Sequence, residues 1–285
     1  MPFPSEQHFK SLSAHGFHRV VYRQWGDPEN AHVVVCVHGL TRNGRDFDTL
    51  AAALADRFRI LCPDMPGRGD SDSLRDPNDY AFPTYLTALT AMLAHAHADR
   101  VAWVGTSMGG LLGIVMAAQP ETPIVRLVVN DVGPTLEAAA LARIGSYVGL
   151  DPVFDSFEAL QAHVRAVSAP FGPLSDAQWE QLSRTTARQL PDGSWRLKYD
   201  PGIAVPFRAA GSRPADLWPQ WDAIRCPTLV LHGAESDLLS SATAAAMRSR
   251  GPRPELIEFA GIGHAPMLLS PEQIAPVVSF LDASA

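Results

Sequence analysis

Four stretches of this 285-residue chain are apolar at almost every position yet only five to eight residues long: 33–38 (VVVCVH), 100–106 (RVAWVGT), 124–131 (IVRLVVND) and 228–232 (TLVLH). A strand that is apolar throughout, instead of alternating, is buried on both faces, as in a parallel sheet covered by helices. Residues 60–64 and 255–259 form further short strand patterns, and 18–24 (HRVVYRQ) alternates like a half-exposed strand. Helical patterns fall between them at 46–58, 80–98, 109–118, 240–250 and 271–281. This alternation of strand and helix specifies an α/β fold with a mostly parallel sheet and helices on both faces. Its crossovers are right-handed, and its chemistry belongs at the carboxyl ends of the strands.

The alternation breaks between 134 and 223, where helical segments appear and no buried strand does. Asp155-x-x-Glu158 and Ser175-x-x-Gln178 both have the form of a helix-start capping box. The stretch carries many large aromatics, among them Tyr147, Phe171, Trp179, Trp195, Trp218 and Trp221. It is expected to be a helical cap, or lid, with many of these rings forming its own core and the rest suggesting an apolar pocket. The length permits one domain or two; the interruption favours one α/β core, 1–133 and 224–285, with a cap at 134–223.

A formal net charge of −7 with no basic patch argues against nucleic acid and anionic membrane as partners. No run of 18 apolar residues is present, so no membrane-spanning helix is expected. Cys36, Cys62 and Cys226 have neither metal-ligand nor redox spacing and lie in or beside apolar runs, as buried free thiols do. That suits a reducing compartment, and with no apolar signal segment in the first ten residues it points to the cytoplasm.

The chemistry concentrates in Gly105-Thr106-Ser107-Met108-Gly109, a G-x-S-x-G pentapeptide between a strand and a helix. There the serine sits on a sharp turn with its hydroxyl exposed at the sheet edge, while small residues two positions away let strand and helix approach. A serine hydroxyl is a weak nucleophile and needs an adjacent base. Among ten histidines, His264 lies in a Gly-rich loop after the last strand, within reach of that edge. His232 ends a strand and could support the site from behind.

The base in turn needs a carboxylate. Asp237 follows the strand TLVLHG and is favoured; Asp131, ending LVVND, is the rival, with loop ordering as its other role, and Glu235 is a lesser one. Both aspartates satisfy the chain order serine, acid, histidine. Donors for a developing oxyanion are expected from the backbone N–H groups of Leu40 and Met108, with Gly39 permitting the turn and His38 in a supporting position. Arg42 is more readily a salt-bridged residue than a site residue. The loop 64–71 (DMPGRGDS) lacks the P-loop pattern and is expected to brace the neighbouring loops.

Together, HG, DMPGRGDS, GTSMGG, SD and GHAP, in that order across nearly the whole chain, resemble the α/β-hydrolase superfamily. The resemblance implies an eight-stranded, mostly parallel sheet with a helical cap after strand six. It implies Ser107 as nucleophile, His264 as base, Asp237 as acid, Leu40 and Met108 as oxyanion donors, and no metal or organic cofactor. A serine at the elbow sets the chain apart from the superfamily's haloalkane dehalogenases and epoxide hydrolases, which use aspartate there. The chain is most similar to bacterial carboxylesterases, some of which cleave aliphatic polyesters, so a small-molecule ester, or a polyester, is the implied substrate. The same triad also serves C–C bond hydrolases, lactonases and perhydrolases, and the fold serves some ligand receptors that turn nothing over.

Overall fold

A computed structural model describes residues 4–210 and 216–283. In chain order the first half comprises β1 (Ser5–Ser13), β2 (Gly16–Trp25), β3 (Val33–Val37), α1 (Asp48–Leu54), β4 (Arg59–Pro63), α2 (Phe82–His95), β5 (Val101–Thr106), α3 (Met108–Ala117) and β6 (Ile124–Asn130). Then come α4 (Ala138–Tyr147), α5 (Phe157–Val167), α6 (Asp176–Thr186), β7 (Ala187–Gln189), β8 (Trp195–Leu197), α7 (Ala204–Ala210) and α8 (Trp218–Ala223). The chain closes with β9 (Thr228–Gly233), α9 (Ser241–Ser249), β10 (Glu255–Phe259) and α10 (Pro271–Asp282).

Eight strands form one sheet in the order β1-β2-β4-β3-β5-β6-β9-β10, antiparallel at β1/β2 and β2/β4 and parallel elsewhere. The unbroken apolar runs follow from two covered faces. Val33, Val35 and Val37 of β3 point into the core beneath α2, α3, α8 and α9, whereas Val34 and Cys36 point into the one beneath α1 and α10. The residue pattern of β2 suggests half exposure, but Val20 to Trp25 are buried, because β2 lies inside the sheet between β1 and β4. Strand β1 (SEQHFKSLS) carries too few apolar residues to stand out in the sequence; it buries Phe9, Ser11 and Ser13 on one face.

The segment between β6 and β9 is mostly helical, as expected, and also holds a short two-stranded ribbon, β7–β8, that is mostly exposed or half-buried, whereas the expectation excluded only a buried strand. Three residues on each side, none of β7 or β8 alternating over a useful length, leave no period to detect. Ser175 and Gln178 form the expected capping box, whereas α5 is capped by Ser156, one residue after Asp155. The segment has its own small core of Leu160, Val164, Trp179 and Leu182, with Phe157 and Trp195 packed on it. Trp221, Trp218, Phe207 and Tyr147 instead join the main core. Loop 64–71 fastens this segment down: Gly69 N–H donates to the Lys198 carbonyl (2.8 Å), Asp200 N–H to the Gly67 carbonyl (2.7 Å), and the Lys198 ammonium to Asp70 (2.9 Å). No helix among the described residues is long and apolar enough to cross a membrane.

Candidate active site

Ser107 sits between β5 and α3 with φ 53° and ψ −115°, a conformation costly for a residue with a Cβ. The turn is possible because the residues two positions to either side, Gly105 and Gly109, lack side chains. A methyl group at Gly105 would run into the Gly109 carbonyl, and one at Gly109 into the Val37 backbone. The hydroxyl is thereby held at the carboxyl edge of the sheet, at the start of α3.

His264, in the loop between β10 and α10, reaches this hydroxyl: Nε2 lies 2.9 Å from Ser107 Oγ. Its Nδ1 lies 2.8 Å from Asp131 Oδ2. An ionised carboxylate only accepts, so Nδ1 carries the proton and Nε2 is free to accept from the serine hydroxyl. Asp131 directly follows β6, the strand beside β5, and is 0% exposed. It holds φ 56°, with its N–H donating to the Leu231 carbonyl (2.8 Å). Its Oδ1 accepts from Gly233 N–H (2.8 Å), and its Oδ2 accepts a second bond from the Ser236 hydroxyl (2.7 Å). The Ser236 oxygen in turn accepts from the N–H groups of Leu238 and Leu239. Three donors therefore satisfy a buried charge that would otherwise be expensive to keep there.

This corrects the sequence expectation for Asp237. Its carboxylate faces Arg143 of α4, with Oδ2 2.5 Å from Nε and Oδ1 2.8 Å from Nη2. The Arg143 guanidinium holds the Asp237 carboxyl below its ordinary pKa, against a smaller opposing effect of burial. Asp237 lies beyond the end of β9 on the way to α9, with a side chain 42% exposed, and both His264 nitrogens are already engaged. The rival residue, Asp131, occupies the position beside the histidine.

Gly39 follows β3 and packs beside Ser107; a methyl group there would stand 3.6 Å from the serine Cβ. The Leu40 N–H therefore belongs to the turn next to Ser107, and the Met108 N–H is the first of α3. His38 is fully buried and supports that turn. Its Nδ1–H donates to the Gly39 carbonyl (2.7 Å), while Nε2 accepts from Met65 N–H (2.9 Å). Burial pushes its pKa down to about 4, so the ring is neutral at pH 7 and the tautomer is fixed by its two partners. Loop 64–71 braces its surroundings as expected: buried Asp64 accepts from Gly44 N–H, Asp70 N–H and Arg23. Arg42 is salt-bridged to Asp46 (2.6 Å) and also lines the cleft. His232 points away from the site, with Nδ1 on Glu258 and Nε2 on the Leu239 carbonyl.

Ser107 and His264 line an open cleft. Leu40 forms part of the core-side wall, and Ile144, Tyr147, Val164, Phe171 and Leu197 come from the segment between β6 and β9. Among the aromatics singled out in the sequence, Tyr147 and Phe171 thus face the site. Arg143 was not picked out beforehand; its spacing of four from Tyr147 on α4 puts both on one helix face, but nothing in the sequence aimed that face at the cleft. No cluster of metal-ligating side chains occurs among the described residues. Cys36 and Cys62 are buried and free; Cys226 is free and partly buried.

A model of the alpha/beta hydrolase family matches residues 34–277. Over 277 residues, 94% of either chain, the sequence is 44% identical to a 3-hydroxybutyrate-oligomer hydrolase of Cupriavidus necator. The structure resembles a crystal structure described as a putative hydrolase from Rickettsia typhi, with a TM-score of 0.92, 30% identity and all of both chains covered. It also resembles an alpha/beta hydrolase from Novosphingobium aromaticivorans, with a TM-score of 0.88, 39% identity and 99% of both chains covered.

Proposed function

The chain belongs to the α/β-hydrolase family, and within it we propose a serine esterase that cleaves short oligomers of 3-hydroxy acids through an acyl-enzyme. The observation that carries the reading is the continuous chain of bonds from Ser107 Oγ to His264 Nε2 and from His264 Nδ1 to Asp131. It begins at a strained elbow with the hydroxyl facing an apolar cleft.

His264 takes the Ser107 proton as Oγ attacks the ester carbonyl carbon. Asp131 keeps the imidazole in the accepting tautomer and stabilises the imidazolium. The carbonyl oxygen gains its negative charge between the N–H groups of Leu40 and Met108. His264 then passes its proton to the departing alkoxide, and the alcohol leaves. Water, deprotonated by the same histidine, releases the acid. Every proton is shuttled by one imidazole, so the scheme requires no metal or organic cofactor. The segment 134–223 acts as a cap that walls the cleft.

The substrate class draws support from the 44% identical relative, named for hydrolysis of 3-hydroxybutyrate oligomers, and from the mostly apolar cleft. We place the enzyme in the cytoplasm on its three free thiols. The test is release of 3-hydroxybutyrate from its trimer, followed beside hydrolysis of p-nitrophenyl butyrate. Ser107→Ala should lower kcat by about 10⁴-fold or more on both substrates. A Ser107→Ala protein that keeps its activity would refute the mechanism, and a wild type active on the aryl ester alone would refute the substrate class.

A further inference from the structure

Arg68, in loop 64–71, is a guanidinium with 0% exposure and no carboxylate partner among the described residues. Burying such a charge is unfavourable unless an anion or a dense set of acceptors compensates it. The set here is incomplete. Nε donates to the Leu40 carbonyl (2.8 Å), and Nη1 donates to the Pro66 carbonyl (2.7 Å) and the Tyr85 oxygen (2.8 Å). Nη2 finds only the Met108 sulfur, at 3.9 Å. The rings of Tyr80 and Tyr85, 5.4 and 5.0 Å from the guanidinium carbon, supply the remaining attraction.

Two of these partners matter for the chemistry. Leu40 and Met108 are the two residues whose N–H groups flank the carbonyl oxygen in the proposed reaction, and Arg68 contacts both from behind. The chain thus keeps a positive charge with no carboxylate beside it, shielded from water, near the place where a negative oxygen forms. We propose that Arg68 is the positioning residue of the oxyanion site: it holds the Leu40 backbone through its carbonyl and lies against the Met108 side chain, and its positive charge stabilises the oxyanion that develops between the two N–H groups. A purely mechanical brace would need only the bond to the Leu40 carbonyl, which a neutral amide makes as well. The charge is useful because it acts over several ångströms in a medium of low dielectric and is already in place when the oxyanion appears.

The inference rests on Ser107 being the nucleophile, and the experiment separates the two claims. Arg68→Met removes charge and bonds, Arg68→Gln keeps a donor without charge, and Arg68→Lys keeps the charge without the fork. For p-nitrophenyl butyrate, the Met and Gln proteins should lose about tenfold to a hundredfold in kcat, with KM within about twofold of wild type. Arg68→Lys should stay within about threefold of wild type in kcat. Melting temperature and circular dichroism identify the folded variants, and the Lys–Gln pair carries the comparison if the Met protein does not fold. Lys falling as far as Gln, or a loss confined to KM, or a folded Gln protein of wild-type kcat, would overturn the role of the charge. An inactive wild type, or an active Ser107→Ala protein, would instead overturn the reading of the site on which it depends.

Discussion

Two aspartates stand near the same histidine in very different surroundings. Asp131 ends β6 with no exposed surface and three donors on its carboxylate: the Gly233 N–H, the Ser236 hydroxyl and His264 Nδ1. Asp237 stands on the loop after β9, 42% exposed, with an arginine from α4 across from it. The contrast extends outward. Farther along the same sheet edge His38, Asp64 and Arg68 are likewise fully buried, each with hydrogen-bond partners. In the segment between β6 and β9, pairs such as Arg196–Asp151 and Arg165–Asp176 are partly to well exposed, where screening and side-chain entropy leave little net gain. A carboxylate that must orient an imidazole and stay ionised has to be held by donors that cannot drift away. The sheet edge offers such donors and the exposed surface beyond it does not. Asp237, paired with Arg143, instead links α4 to the loop after β9.

Substitutions that probe this contrast should differ sharply in effect. Asp131→Asn leaves the shape but favours the wrong imidazole tautomer, and should cost about 10⁴-fold in kcat on p-nitrophenyl butyrate. A loss under about tenfold would erase the distinction between the two aspartates. Next in size is His38. Its pKa in the fold is about 4, against an ordinary value of 6.5, so the unfolded chain binds the extra proton between those limits. The stability tied to its neutral form is therefore complete above pH 6.5 and is lost as pH falls toward 4; it amounts to about 3 kcal/mol. Urea unfolding at a series of pH values should show this slope in the wild type and lack it in His38→Gln.

Ser236→Ala removes one donor from Asp131 while leaving the Gly233 N–H, and should lower kcat/KM by about tenfold, with Ser236→Thr recovering most of it. An unchanged Ala protein would mean that the Gly233 N–H alone holds the carboxylate. The smallest effect belongs to Asp237→Asn, expected to stay within about threefold of wild type in kcat at neutral pH. A loss rivalling that of Asp131→Asn would return the acid's role to the β9 loop.

Much of this was legible in the sequence, and the places where it failed share a cause. The runs VVVCV and VAWVGT announce parallel strands because burial on both faces leaves mainly apolar residues, and GTSMG between strand and helix locates the exposed serine hydroxyl through backbone sterics alone. His264 follows from reach, as the loop after β10 ends at the same sheet edge. The acid did not follow, because both aspartates come after strand ends and chain order accepts either. Their difference lies in partners far along the chain: Arg143 is 94 residues from Asp237, and Ser236 is 105 residues from Asp131. Arg68 was hidden for the same reason, since a lone arginine in a Gly-rich loop reads as solvated until Leu40 and Met108 are seen against it. The one available signal for Asp131 was its position at the end of a mostly apolar strand, β6, next to β5, which Ser107 follows.

The central claim is that Asp131, not Asp237, accepts the His264 Nδ1 proton. It is tested most directly by proton NMR of protein with nitrogen-15-labelled histidine, following the strongly hydrogen-bonded Nδ1 proton of His264. The account predicts that this low-field resonance is present in wild type and in Asp237→Asn and is lost or markedly shifted in Asp131→Asn. A resonance that survives Asp131→Asn unshifted and disappears in Asp237→Asn would contradict it.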